Sequence, residues 1–328
     1  MQAAYYTSLG PARDVLQLGE IPTPQPAAGE VRVRIECSGV NPSDVKSRLG
    51  LRNPRMPFPR IVPHSDGAGV IDAVGHGVDA ARLGQRVWTW NAAWGRADGT
   101  AAQWVCLPQQ QAVALPDNVD AAAGACLGIP ALTALHAVLL GDGVAGRTVL
   151  VAGGAGAVGH YAVQMASQLG AARVIASAST DHKAELARAA GADDVVRYRD
   201  ETLAERVLEL TGGRGVDRVI ELDMAVNGPA DLQLLRSGGD CVVYGASQAQ
   251  LQLPFFPLIA KNLQLRCFIV YHLEPADRER AQAALTRMLA RGALRHNIAA
   301  RLPLRDIVAA HELVESGAAV GNVVLDLD

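Results

Sequence analysis

Residues Val149–Gly159 read VLVAGGAGAVG, an apolar run that passes through Gly154-x-Gly156-x-x-Gly159 into a helically spaced stretch, Val158 to Leu169. A buried strand that turns into a helix through small residues leaves the first helical N–H groups unpaired. The positive end of the helix dipole faces the turn as well, and a diphosphate suits such a site. Gly154, Gly156, Ala157 and Val158 form the turn, where missing side chains let the backbone approach the ligand, and Gly159 lets the helix pack on the strand. About twenty residues on, an NAD enzyme carries Asp or Glu for the ribose hydroxyls. Here Ile175–Thr180 reads IASAST, with Ala178 at that position. A carboxylate would repel a 2′-phosphate, whereas Ser177, Ser179 and Thr180 offer hydroxyls and Lys183 a positive charge. NADPH is therefore the expected cofactor. Thr180 also reads as the cap of the next helix, and the two roles are compatible.

Outward from this loop, short apolar strands alternate with amphipathic helices, the pattern of βαβ units and a parallel sheet. Strands are expected at Thr148–Ala152, Arg173–Ser177, Asp194–Arg197, Val216–Leu222, Asp240–Gly245 and Gln264–Val270, with helices such as Val158–Leu169 and His182–Ala190 between them. Six strands complete a dinucleotide-binding fold. The first 120 residues differ: Val31–Cys37 alternates apolar with charged residues, and further strands are expected at Gly69–Val74, Arg86–Trp90 and Ala101–Leu107. Such a segment reads as a small β-barrel-like domain. After Tyr271 come a charged helix (Pro275–Gly292), a second helical stretch (Leu302–Ser316) and a closing strand (Val323–Leu327).

A chain of 328 residues, 49% apolar and 19% charged, has material for two cores. Thirty basic against thirty-three acidic residues, with no basic run, argue against nucleic-acid binding. Five dispersed cysteines without a CxxC pair fit a reducing, cytoplasmic setting and argue against a thiolate zinc site. The N-terminal residues do not read as a signal peptide. Ala121–Gly141 is uncharged and as long as a membrane span, but Ala and Gly dominate it and Pro130 and His136 interrupt it, so a buried helix is expected and no membrane association.

Several motifs together resemble the zeta-crystallin-like NADPH:quinone oxidoreductases, a zinc-free branch of the medium-chain dehydrogenase/reductase superfamily. They are SGVNPSD (Ser38–Asp44), SDGAG (Ser65–Gly69), Gly84-x-Arg-Val87, GIPALTA (Gly128–Ala134), the Gly154 loop, Leu235-x-x-Gly-Gly239 and GNVVL (Gly321–Leu325). The resemblance implies an α/β fold in which a Rossmann doubly wound parallel sheet is inserted in a GroES-like β-barrel domain, with the active site between the two. The implied division is 1–120, 121–262 and 263–328, the last segment returning to the GroES-like domain and carrying the edge strand of the sheet. Implied cofactor contacts, besides the loop, Ser179 and Lys183, are Tyr198, Asn227, Tyr244, Gly245, Ala246 and Ser247. Cys267, Phe268 and Ile269 would follow, with Thr133 near the nicotinamide and Asn322 near the diphosphate.

Zinc-dependent relatives polarise a carbonyl or alcohol oxygen with the metal. Asn41 stands at the position of their first Cys ligand and Ser65 at that of their His. His64 is offset from the latter by one residue and reads as structural. No metal is therefore expected. The implied reaction is hydride transfer from NADPH to a quinone or similar conjugated carbonyl, with an alkenal or enone reductase and a non-catalytic NADPH-binding protein as alternatives. Asn41 is the candidate contact to the acceptor oxygen, unless it only bonds turn backbone before Pro42. Relatives often carry Tyr five residues later; this chain has Lys46, a candidate donor. Trp88, Trp90 and Trp94 can floor a site for a flat ring or fill the core. The edge strand Gln264–Val270 makes a homodimer the expected assembly.

Overall fold

The computed structural model describes residues 1–327. Its strands in chain order are β1 (Gln2–Tyr5), β2 (Gln17–Glu20), β3 (Glu30–Val40), β4 (Asp66–Val74), β5 (Arg86–Thr89), β6 (Trp104–Pro108) and β7 (Ala112–Ala114). There follow β8 (Thr148–Val151), β9 (Arg173–Ala178), β10 (Asp194–Arg197), β11 (Val216–Glu221), β12 (Leu235–Val243) and β13 (Gln264–Cys267), then β14 (Ile298–Pro303) and β15 (Asn322–Asp326).

One compact unit comprises Met1–Pro130 and the tail from Thr286. Its organising element is β3, whose alternation puts Val31, Val33 and Ile35 inside while Arg32 pairs with Asp72 at the outer face, 2.8 Å away. Register shifts between Arg32 and Val33 and between Ile35 and Cys37 interrupt its ladder with β4. Such bulges bend a strand. Its first half pairs with β6 and its last residues with β15, all antiparallel. The resulting sheet runs β14-β15-β3-β4-β5-β7, and Ile71, Val87, Val105, Leu107, Val323 and Leu325 close one core beneath it.

The second unit, Ala131–Leu285, is an all-parallel sheet in the order β10-β9-β8-β11-β12-β13. Chain order reverses between β8 and β11, and in such sheets ligands bind beyond the carboxyl ends of the strands at that point. The Gly154 loop leaves β8 there.

The compact units divide at 130/131 and 285/286. Ala121–Pro130 packs on the first unit so closely that a Cβ on Gly39 would lie 2.1 Å from the Ala125 carbonyl oxygen. Residues 264–285 belong with the parallel sheet because β13 pairs with β12. Ala121–Gly141 is a helix (Ala121–Gly124), a π turn at Leu127–Ala131 that contains Pro130, and a second helix (Leu132–Leu139). Among the described residues no helix is long and apolar enough to cross a membrane. The helix expected from Leu302 begins at Ile307, because Ile298–Pro303 is a strand paired with β15.

Candidate functional site

Gly153 has φ of 64°, the left-handed region, and turns the chain out of β8. Ser177 braces this turn: its Oγ accepts the Gly153 N–H at 3.0 Å, which leaves the hydroxyl hydrogen to donate, and its carbonyl accepts the Gly154 N–H at 3.0 Å. The helix Gly159–Gln168 then begins so near the loop that a Cβ on Gly159 would sit 2.2 Å from the Gly153 oxygen. At Gly156 a Cβ would meet only that same oxygen, at 3.3 Å. The Ala157, Val158 and Gly159 amides lie at the helix start, where N–H groups lack acceptors one turn back.

At the end of β9, Ala178 and Ser179 are buried and Thr180 caps the helix Asp181–Ala189, its Oγ1 accepting the Lys183 N–H at 3.3 Å. Ala178 is in register with Arg197, whose guanidinium bonds Asp181 and lies 3.0 Å from Asp200. Arg197 escaped the sequence reading because its partner strand was not assignable residue by residue. Tyr198 follows it, half exposed.

The loops beyond β11 and β12 are tied to each other. Glu221 Oε1 accepts the Asp223 N–H and, at 3.0 Å, the Asn227 side-chain amide; Asp223 Oδ1 accepts the Ser247 N–H at 2.8 Å. The Met224 N–H donates to the Gly245 carbonyl at 3.2 Å, and the Tyr244 N–H to that of Glu221 at 3.1 Å. Gly245 is needed for closeness, since its Cβ would lie 2.2 Å from the Leu222 oxygen. Ala246 lies between these anchors. At the end of β13 Cys267 is exposed, as is Ile269 just beyond it, while Phe268 between them stacks edge-on against His136 with ring centres 4.6 Å apart. His136 belongs to the helix Leu132–Leu139, as does the buried Thr133. The sheet end thus gathers most of the expected cofactor residues within one unit.

Asn322 and Asn41 belong to the other unit. Asn322 is buried and donates its side-chain amide to the Asn297 carbonyl at 3.0 Å. Asn41 precedes the helix Pro42–Arg48; its backbone N–H donates to Asp44 Oδ2 at 2.8 Å, the reciprocal half of a capping box. Its Nδ2 donates to Asp66 Oδ2 at 3.0 Å, and the Ile129 N–H reaches the same oxygen at 2.9 Å. Burial raises Asp66 well above the usual carboxylate range, helped by the charge of Asp44; burial also raises Asp44, to about 7. Asn41 is therefore held by two carboxyl groups rather than by turn backbone alone, and one Nδ2 hydrogen stays uncommitted by these bonds. Lys46 is part-buried in the last turn of that helix.

His64 adopts φ of 78°, bonds Ser38 Oγ through Nδ1 and His311 Nε2 through Nε2, both at 2.9 Å, and is fully buried. Burial pushes its pKa down to about 3. The neutral ring is part of a core network. Trp88 is fully buried as well, which makes it core rather than the floor of a binding site; Trp90 Nε1 donates to the Gln110 carbonyl and Trp94 stacks under Arg52 at 5.7 Å. Among the described residues no cluster of three or more His, Cys, Asp or Glu side chains could hold a metal ion.

Two family models match the chain, one described as alcohol dehydrogenase GroES-like domain over residues 27–117 and one as zinc-binding dehydrogenase over 157–290. A quinone oxidoreductase of Lama guanicoe is 31% identical over 95% of this chain and 93% of its own length. A 2-haloacrylate reductase of Burkholderia is 31% identical over 99% of the chain and 98% of its own length. A mycobacterial protein solved in complex with NADPH superposes with a TM-score of 0.88 at 33% identity, over 99% of this chain and 100% of that one. With a Rossmann-type sheet carrying the glycine loop and a GroES-like unit carrying Asn41, the chain belongs to the medium-chain dehydrogenase/reductase superfamily, among the quinone oxidoreductases, and is a nicotinamide-dependent oxidoreductase.

Proposed function

We propose that this chain is an NADPH-dependent reductase of quinones or similar conjugated carbonyls that works without a metal. The observation that carries the cofactor choice is Ala178 at the end of β9, with Arg197 in register beside it and Lys183 in the first turn of the next helix. A 2′-phosphate meets two cations there, one of them already paired with Asp181 and Asp200. When bound, NADPH supplies a hydride from C4 of its nicotinamide ring. The protein's contribution is orientation: the Gly154 loop and helix start hold the diphosphate, the loops at Asn227 and Tyr244–Ser247 and the segment Cys267–Ile269 hold the nicotinamide half, and Thr133 and Asn322 add contacts. Asn41, fixed by Asp66, offers its free Nδ2 hydrogen to the acceptor oxygen, and Lys46 is a second donor. Asn41 and Ser65 in place of metal ligands favour an acceptor that is reduced without Lewis-acid help.

Ala178→Asp is expected to weaken NADPH binding about tenfold to a hundredfold, as one unit charge near a phosphate should, and to leave or improve NADH binding. Fluorescence titration with both nucleotides measures this; a wild-type protein that prefers NADH would reject the cofactor assignment. Steady-state rates with quinones, enones and 2-haloacrylate then fix the acceptor. Reduction of activated alkenes is the second reading, favoured by the similarity to the Burkholderia enzyme, and turnover with those substrates alone would replace the quinone.

The proposed assembly is a homodimer in the cytoplasm. β13 is the sheet edge, Leu265 on it is 37% exposed, and the preceding helix exposes Phe255 and Phe256 at 70% and 73%. Sedimentation that finds only monomer at micromolar concentration would refute pairing of these edges.

A further inference from the structure

Glu221 ends β11 and Asp231 lies on the helix Met224–Leu234, both essentially without solvent exposure. Glu221 Oε1 accepts the two bonds from Asp223 and Asn227 described above. Glu221 Oε2 and both Asp231 oxygens are buried with no N–H or hydroxyl donor against them. The two carboxyl groups nonetheless lie within hydrogen-bonding range of each other. Two ionised carboxylates have no hydrogen to share and would repel at a site this deeply buried. One proton between them supplies the missing bond.

We propose that Glu221 and Asp231 form a carboxyl–carboxylate pair sharing one proton, and that this pair positions the loops 221–227 and 244–247 for the dinucleotide. The inference rests on the reading that those loops hold the cofactor. Asp223 and Asn227 both donate to Glu221 Oε1, so the shared proton sits on Asp231. Loss of that proton to solvent would leave two adjacent buried anions and drive Glu221 away from its two donors. Burial, then the charge of Glu221 and the bond to it, raise Asp231 to about 9, so the pair is singly protonated at neutral pH.

The other ionisable groups around the pair, the exposed Cys267 thiol among them, are unchanged in the variants and enter as a drift common to all three proteins. On β12, Cys241 is raised well above its usual value by burial, and Tyr244 is raised by burial and by Glu221. Asp223 is held by its bond to Ser247, and Lys261 donates to the carbonyls of Leu232, Gln233 and Leu235. On the neighbouring helix Leu203–Leu210, Arg206 pairs with Glu209 and Glu201, and Glu205 completes its charged residues. β8 carries no ionisable residue.

NADPH titration between pH 7.5 and 10 tests the pair on the wild type, Asp231→Asn and Glu221→Gln. If only the singly protonated pair binds, wild-type affinity falls about tenfold from pH 8 to pH 10, whereas Asp231→Asn keeps its neutral-pH affinity apart from any drift common to all three, and Glu221→Gln, without the second charge, loses less than wild type. An equal slope in all three proteins, or none in the wild type, overturns the proposal. Infrared difference spectra at pH 7.5 separate this from the cofactor reading: a protonated-carboxyl band present in wild type, shifted in Glu221→Gln and missing from Asp231→Asn is expected even if no nucleotide binds. Absence of that band refutes the shared proton; its presence in a wild-type protein that binds neither NADPH nor NADH refutes only the cofactor reading and the role of the loops that depends on it.

Discussion

Gly159→Ala is expected to weaken nucleotide binding by about a hundredfold or more and to lower stability, whereas Gly156→Ala weakens binding and leaves stability almost unchanged. The two glycines are three residues apart in one loop, but the protein needs them for different reasons. A methyl on Gly159 would lie 2.2 Å from the Gly153 oxygen, 2.8 Å from its carbonyl carbon and 3.2 Å from Gly154 Cα. All three are backbone atoms, and they cannot swing aside. Gly153 is pinned by Ser177 Oγ, and Leu222 stands 2.6 Å from where its own Cβ would be. The helix must therefore move outward by about 1 Å, a misplacement that typically costs about two orders of magnitude. At Gly156 the φ is not left-handed and a methyl would meet only the Gly153 oxygen, at 3.3 Å, a contact relieved by a shift of a few tenths of an ångström, so the chain itself demands glycine far less there. A demand shown only in NADPH affinity would come from the ligand. Urea unfolding and fluorescence titration of both variants give the answer; a Gly156→Ala protein that binds normally would remove the diphosphate from this loop.

The parallel sheet was legible in the sequence because its strands are buried on both faces and read as apolar runs separated by helical periods. Most observed strand ends fall within one or two residues of the expected ones. β1, β2, β7 and β14 were not legible: they are three to six residues long and mostly half-wet, so alternation has too few repeats to register. The glycine loop was legible from its flanks, but the bond by which Ser177 braces it was not, because a strand residue's contacts depend on neighbours the sequence does not pair. Asp66 was quoted only as part of a motif, and its bond to Asn41 spans 25 residues. His64 finds His311 across 247 residues. Glu221 and Asp231 left one trace, an acid inside the apolar run VIEL and another inside a helix, and only folding shows that they face each other.

Arg218→Met is expected to destabilise the second unit by about 3–5 kcal/mol, the usual cost of leaving one partner of a buried ion pair behind. Arg218 is fully buried on β11, and its Nε and Nη2 reach the two oxygens of Asp240 at 2.9 and 2.5 Å. The same guanidinium donates to the carbonyls of Ala137, Val138 and Leu140 at 3.1, 3.3 and 2.9 Å. Those carbonyls end the helix Leu132–Leu139, where acceptors lack intrahelical donors. Arg147 and Arg266 lie 3.6 and 3.2 Å from Asp240, so its charge keeps partners in the variant and the carbonyls bear much of the loss. Asp240→Asn should therefore cost less than Arg218→Met, which reverses the order expected if the ion pair alone mattered. The helix carries Thr133, and His136 on it packs against Phe268. Loosening its end should raise the KM for NADPH along with lowering the urea midpoint. Equal destabilisation by the two substitutions would assign Arg218 to the carboxylate alone and leave the helix end without a cap.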